Sequence, residues 1–121
     1  MDEEKKKLLQ QVMAKRGFVL DFHKVMIEED PEFMKRYDAL IELVSTQQRT
    51  LPKKVKAFIF IGVLTALQAD KDHIAKHIRR ALENGASKKE IIEVFELIYP
   101  PCGTLRFMNG LAAFKEVFDE K

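Results

Sequence analysis

The sequence predicts an all-α fold of six or seven helices arranged around one long apolar helix. Apolar residues recur every three or four positions along the chain, without the strict alternation that marks a β-strand. An almost continuous apolar stretch runs from Ala57 to Leu67, so we expect this helix to be buried on nearly every side. Asp or Ser before the apolar segments, and Gly or Pro after them, mark the expected helix ends.

The central helix is expected to run from Pro52 to Ala69. Proline suits the first helical position, because its missing N–H would have no partner within the helix. The apolar stretch inside this helix is interrupted by Thr65 and is shorter than the roughly 20 residues needed to cross a bilayer. We therefore expect a core helix and no membrane partner.

Three helices are expected before the central one. A charged helix covers Asp2 to Arg16, and a short apolar helix follows within Phe18 to Ile27. His23 lies in that second segment without another polar group beside it, so we interpret His23 as structural. Asp30 is the expected N-cap of a third helix, Pro31 to Val44, which has one apolar face.

Three helices are also expected after the central one. Asp70 is the predicted N-cap of a helix ending at Asn84, with its carboxylate accepting from free N–H groups. Ser87 opens the next helix through a capping box, and Pro100-Pro101 is expected to end that helix. The last helix is expected from Thr104 to Phe118. Its predicted apolar side consists of Leu105, Met108, Leu111, Ala112 and Phe114.

Composition predicts a single soluble domain covering residues 1–121. Apolar residues make up 46% and charged residues 33% of the chain, unlike the composition of a disordered protein. Lys and Arg number 21 against 19 Asp and Glu, and the two signs are mixed, so no nucleic-acid partner is expected. One cysteine allows no intrachain disulfide, and no apolar signal region begins the sequence, so we expect a cytoplasmic protein.

The block from Leu51 to Phe118 resembles the carboxymuconolactone decarboxylase family, which includes the alkylhydroperoxidase AhpD. The block starts LPKKVKAFIFIGVLTALQADKDHIAKHIRRALENG, and the Asp-Pro-Glu at residues 30–32 is also typical of that family. The resemblance implies an AhpD-like helical fold with its core at residues 51–118. It also implies a homo-oligomer, either a trimer or a hexamer. We expect no cofactor.

The redox motif of the peroxidase members is missing. Those members carry Cys-x-x-Cys ahead of a His, and matching that His to His77 places Asp70 and His73 at the two cysteine positions. The acidic residue of their proton relay would fall at about Ala57 or Phe58, neither of which can carry a proton. We therefore do not expect dithiol peroxidase activity.

His77 and His73 are the candidate catalytic residues. They are four residues apart on one helix, so both rings project from the same face. His73 lies in the first turn, where the helix dipole opposes protonation, and is the better neutral base or ligand. His77 occupies the position of the family's pocket histidine. A metal platform completed by Asp70 or Glu83 is a second interpretation, but spacing fixes no third ligand, so no metal is predicted.

Asp70, Cys102 and Arg106 are the candidate substrate-binding residues. Cys102 is expected in a loop ahead of the last helix, where the helix dipole would favour a thiolate, although a lone cysteine also serves as a small packing residue. Arg106 can bind a carboxylate through its planar guanidinium, or serve as a solvated or subunit-interface charge.

Three functional classes remain open from the sequence. The first is a carboxy-lyase-like enzyme that acts on a small carboxylated or lactone-type substrate by His-based acid/base chemistry. The second is a peroxidase-type oxidoreductase, and the third is a non-catalytic small-molecule-binding oligomer. For the enzyme we expect a small apolar pocket beside the start of the His-bearing helix, with His77 as the proton-transfer residue and His73 assisting. Leu64 and Leu67 are its expected walls, and Lys76 or Arg106 is expected to neutralise the substrate.

Overall fold

The computed structural model describes residues 1–119 and is all-α over that range, with no strand. This confirms the predicted fold class. Seven α-helices and one short π-helical turn make up the described chain: α1 Glu3–Arg16, α2 Asp21–Glu29, α3 Pro31–Ile41, the π-turn Glu42–Thr46, α4 Lys53–Ala66, α5 Lys71–Glu83, α6 Lys88–Cys102 and α7 Thr104–Phe118.

The chain forms two compact units, Met1–Arg49 and a second that begins at Thr50. The first holds α1 to α3 and the π-turn, and the second holds α4 to α7. The expectation of a single domain over residues 1–121 remains a prediction. No helix within residues 1–119 is both long enough and apolar enough to span a bilayer.

The first unit has a small core of its own, formed by Leu8, Val12, Ile27 and Met34. His23 is fully buried beside this core, and its Nδ1 accepts a hydrogen bond from the Leu20 N–H at 2.9 Å. The imidazole therefore satisfies a donor at the start of α2, which a backbone without a capping side chain would leave free. This contact supports the interpretation of His23 as structural.

Buried charges also join the helices of the first unit. Asp38 is 4% exposed, and its Oδ2 lies 3.0 Å from Lys15 Nζ. Its other oxygen lies 3.5 Å from Arg16 Nη2, and the Arg16 guanidinium lies over the Tyr37 ring. Two cations facing one buried carboxylate compensate for the loss of its hydration.

The second unit has the larger core, and α5 contributes most to it. Its fully or almost fully buried apolar residues come from all four helices: Ala57, Ile61, Ile74, Ala75, Ile78, Ala81, Ile91, Phe95 and Ala113. Four of these nine lie on α5, which packs against α4 and α7. Phe95 is the largest fully buried side chain.

Several helix ends follow the sequence signals. Asp30 Oδ1 accepts from the Phe33 N–H at 3.1 Å ahead of Pro31, and the Ser87–Glu90 capping box is complete. At the end of α5, Gly85 has φ +91°, and the Ala86 N–H donates to the carbonyl oxygen of Ala81 at 3.0 Å. These are the contacts of a Schellman motif, for which only glycine pays no steric cost.

The expectation that the central helix is buried on nearly every side is wrong for the single chain. Its core face is narrow and consists of Ala57, Ile61 and Thr65. The opposite face leaves Ile59 and Val63 about half exposed, at 51% and 49%. The helix also begins at Lys53, with Pro52 as its N-cap, and ends at Ala66 rather than Ala69. Apolar composition does not reveal how many neighbouring helices cover a helix. In the second unit, as described to residue 119, only three other helices, α5 to α7, are present to pack against α4, and they leave one of its faces exposed.

Two further sequence expectations are corrected by α6 and α7. The double proline does not end α6, which continues through Pro100 and Pro101 to Cys102. The prolines remove the N–H donors to the carbonyls of Glu96 and Leu97, and both of these residues are exposed, so water can replace the lost donors.

The buried face of α7 is also different from the predicted apolar side. Leu105 and Met108 are 73% and 59% exposed, whereas the buried residues are Gly110 and Ala113. Small residues form this face because α7 lies very close to α6 and α4 at Gly110. A Cβ added there would lie 2.6 Å from the Phe95 ring and 3.0 Å from Thr65 Cγ2.

We predict that Gly110→Ala destabilises the protein, although alanine is the better helix former. The added methyl group overlaps the Phe95 ring, and such overpacking costs about 1–3 kcal/mol. Gly62→Ala is the matched control, because a Cβ there meets its nearest atom, Ile98 Cγ2, at 3.6 Å. This control should gain roughly 0.5–1 kcal/mol from helix propensity. Urea unfolding of both variants measures the difference, and equal stability of the two would contradict the close packing.

Candidate functional site

The two candidate catalytic histidines lie next to each other on the first two turns of α5. Their ring centroids are 5.3 Å apart, with planes tilted by 46°. The chain reaches α5 through residues 67–70, where Gln68 adopts a left-handed conformation with φ +58°. Because α5 then packs along α4, the histidines meet the residues of α4 that precede this turn.

His77 is almost buried, at 5% exposure, and its ring stacks on Phe60 of α4. The two ring centroids are 4.9 Å apart and the planes differ by 17°. His73 is only partly buried and so forms the more accessible half of the pair. A proton that arrives from solvent therefore meets His73 before His77.

Burial lowers the pKa of His73 below its usual value of 6.5. The negative charge of Asp70 opposes this shift, and the positive charge of Lys76 adds to it. The imidazole of His73 is therefore neutral at physiological pH and can accept a proton. This agrees in direction with the expectation from the helix dipole, but the main physical cause is the loss of hydration.

Asp70 is the N-cap residue of α5, but its side chain does not cap the helix. This corrects the predicted role of its carboxylate. The backbone carbonyl of Asp70 accepts from the N–H groups of His73 and Ile74, at 3.0 and 3.1 Å. The exposed carboxylate acts on the His73 charge instead.

Cys102 and Arg106 lie near the junction of α6 and α7. Cys102 is the last residue of α6 and is partly buried, so it does not lie in a separate loop as expected. Gly103, with φ +86°, separates it from α7. Arg106 donates from Nε to the Ala66 carbonyl oxygen at 2.7 Å, so its guanidinium satisfies the C-terminal end of α4.

Of the two residues predicted to form the walls of an apolar pocket beside the histidines, only one packs against the core. Leu64 packs against the core, but Leu67 is 74% exposed and cannot act as a dry wall in the single chain. Phe60 of α4 is the apolar side chain that stacks on His77. Sequence analysis did not single out Phe60, although an α4–α5 turn at residues 67–70 places residues 60 and 77 at similar distances from the turn.

The site contains proton-transfer groups but no evident metal cage. Within residues 1–119 no group of three or more His, Cys, Asp or Glu side chains is arranged to hold a metal ion. His73 and His77 alone offer two nitrogen ligands, fewer than the three protein ligands of a typical catalytic zinc site. The arrangement can relay or abstract a proton, with His73 as the accessible base.

Comparison with known proteins identifies the family. The profile of the carboxymuconolactone decarboxylase family matches residues 31–116, which is most of the chain and includes the helices α3 to α7 apart from the last residues of α7. No curated protein matches the sequence. The match contains both histidines and the stacked Phe60. Together with the all-α fold, it shows that the chain belongs to the carboxymuconolactone decarboxylase family.

Proposed function

We propose that this protein is a carboxymuconolactone decarboxylase-like enzyme that acts on a small carboxylated or lactone-type substrate by acid/base chemistry. The observation that carries this proposal is the His73–His77 pair, with ring centroids 5.3 Å apart and a His73 that stays neutral at physiological pH. His73 is the more accessible ring and exchanges the proton with the substrate in this proposal, which reverses the two roles expected from the sequence. His77, held against Phe60, is its partner in proton transfer.

The substrate class follows from the family and from the charges near the pair. Lys76 is close enough to His73 to lower its pKa, so its positive charge contributes to the field that a substrate carboxylate meets at the pair. The negative charge of Asp70 repels an anion at the same place. We therefore favour a substrate with a single carboxylate beside an uncharged, lactone-like part. Arg106 keeps Nη groups free of the Ala66 contact and is a second candidate for carboxylate binding.

The peroxidase alternative lacks its chemical basis. A dithiol cycle needs two cysteines close together, and the sequence contains only Cys102. The third alternative, a non-catalytic binding protein, requires only the family fold. This alternative would replace the enzyme proposal if the protein turned over no carboxylated lactone, or if substitution of His73 and His77 left such turnover unchanged.

We also propose that the protein functions as a homo-oligomer, a trimer or a hexamer, in the cytoplasm. Three exposed apolar residues spaced four apart form a stripe along α4 and its C-cap residue: Ile59, Val63 and Leu67. Such a continuous apolar stripe is unusual on a surface that faces only water. Phe60 precedes Val63 by three residues, so the two are neighbours on the helix surface, and a second subunit seated on the stripe would lie beside Phe60.

The pKa of His73 provides a test that needs no substrate. In a proton NMR titration we expect His73 to titrate below 6.5, because burial disfavours its charged form. Asp70→Asn removes a negative charge that opposes this shift and should lower the midpoint further, whereas Lys76→Gln should raise it. Movement of both variants in the same direction would contradict the assigned charges.

Activity on carboxylated lactones, followed as release of carbon dioxide, tests the catalytic roles. A base is active only when deprotonated, so kcat/KM should fall as the pH drops through the lowered pKa of His73. His73→Gln and His77→Gln should each reduce the rate by about two to four powers of ten. Glu83→Gln, an exposed change on the same helix, is the control and should retain full activity.

A peroxide-consumption assay with a dithiol reductant tests the alternative chemistry. We expect no turnover of alkyl hydroperoxides, and no difference between the wild type and Cys102→Ser, because no resolving cysteine is present. Turnover that disappears in Cys102→Ser would restore the redox interpretation and displace the acid/base proposal.

Sedimentation measures the proposed oligomer directly. We expect a mass well above the 14.1 kDa of one chain, and we expect Val63→Lys to shift the protein toward that monomer mass. The new lysine would have to lose its hydration at an apolar interface, which is costly. Glu93→Lys, on the exposed surface of α6, is the control and should leave the mass unchanged. A wild-type monomer at micromolar concentration would end this part of the proposal.

A further inference from the structure

Two side chains of α7 donate hydrogen bonds to the turn that connects α4 to α5. Arg106 Nε donates to the Ala66 carbonyl oxygen at 2.7 Å. Asn109 Nδ2 donates to the Ala69 carbonyl oxygen at 3.0 Å. The two donors lie three residues apart on α7, so they project from the same face of this helix. All four of these residues are partly buried, and Asn109 has no part in the proposed acid/base chemistry.

The turn between these two contacts contains a strained residue. Gln68 has φ +58°, a left-handed conformation in which the Cβ of any residue other than glycine is crowded. The Gln68 N–H donates to the carbonyl oxygen of Thr65 at 3.1 Å. The Ala69 N–H donates to that of Leu64 at 2.9 Å, which completes a Schellman motif with glutamine in the usual place of glycine. Because the turn is strained, it depends on further contacts, and the α7 donors bind carbonyl groups on both sides of Gln68.

The same turn determines where α5 begins. Ala69 directly precedes Asp70, the N-cap residue of α5, and the carbonyl oxygen of Asp70 accepts from the His73 N–H at 3.0 Å. Asn109 therefore binds the backbone one residue before the N-cap, close to the start of the helix that carries both candidate catalytic residues. A change in the turn would move α5 relative to α4 and so displace the histidine pair from its aromatic neighbour on α4.

The helix α7 is placed to fix the angle between α4 and α5, because it packs against both of them. We propose that Asn109 and Arg106 are positioning residues, which hold the left-handed turn in place and so keep the histidine pair against α4. This role requires no contact with the substrate. The inference rests on the proposed function, since the pair transfers a proton to a bound substrate only while its geometry is kept.

The Asn109→Leu variant removes one of the two donors. Leucine keeps the branched shape of asparagine but cannot donate a hydrogen bond. Asn84→Leu is the matched control, because Asn84 Nδ2 donates to the Arg80 carbonyl oxygen at 2.9 Å at the opposite end of α5. Both variants lose one partly buried hydrogen bond between an amide and a carbonyl group. Urea unfolding should therefore show similar losses of stability, so a difference between them at the histidines reports on position.

Proton NMR of the histidine rings measures that position without a substrate. The Phe60 ring lies 4.9 Å from the His77 ring and shifts its proton signals through the aromatic ring current. We expect Asn109→Leu to move the His77 signals toward those of an unstacked histidine. The His73 midpoint should rise by about 0.5 pH units toward 6.5, because a displaced ring regains hydration. Asn84→Leu should leave both readings at their wild-type values.

The second donor is tested by Arg106→Met, which has a similar side-chain length and should move the His77 signals in the same direction. Unchanged signals in either α7 variant would overturn the proposal, and so would an equal change in Asn84→Leu. These readings need no substrate. If they change as expected while no carboxylated lactone is turned over, the proposed function fails and the positioning of the histidines by α7 stands.

Discussion

The close approach of α7 to Phe95 is the constraint on which the second unit depends. Phe95 is its largest fully buried side chain, and it fits only because residue 110 has no Cβ. That fit lets α7 lie against α6 and α4 while it still packs along α5. Any larger residue at position 110 would push α7 outward and loosen the helix that carries both histidines.

The position of α5 between α4 and α7 also explains the chemistry available to the histidines. Three residues of α5 face the core: Ile74, Ala75 and Ile78. The neighbouring His73 and His77 are therefore partly and almost fully buried. Burial keeps His73 neutral, and the Phe60 ring holds His77 in one orientation. The same packing that stabilises the fold therefore favours the neutral form of His73 and leaves little of the His77 ring exposed to solvent.

Local signals predicted the family and some of the helix ends, but they did not predict exposure or the helix ends that depend on it. Gly85 and the Ser87 capping box act within a few residues of chain, and both are present as predicted. The prediction that Pro100-Pro101 ends α6 was wrong, because the energetic cost of proline in a helix depends on whether water can reach the carbonyl groups that lose their N–H donors. The prediction that the Asp70 carboxylate caps α5 was wrong, because this group makes no capping hydrogen bond and instead raises the pKa of His73 by its charge. Both outcomes depend on surroundings that a sequence pattern does not describe.

The sequence by itself determined the all-α class, the order of the helices and the i, i+4 pairing of His73 with His77, because helical periodicity and capping are local properties. It also determined the absence of a dithiol pair, since one cysteine cannot form one. Only the tertiary structure decided that Phe60 stacks on His77 and that Gly110 receives Phe95. These contacts join residues far apart in the chain, and their existence depends on how closely whole helices pack.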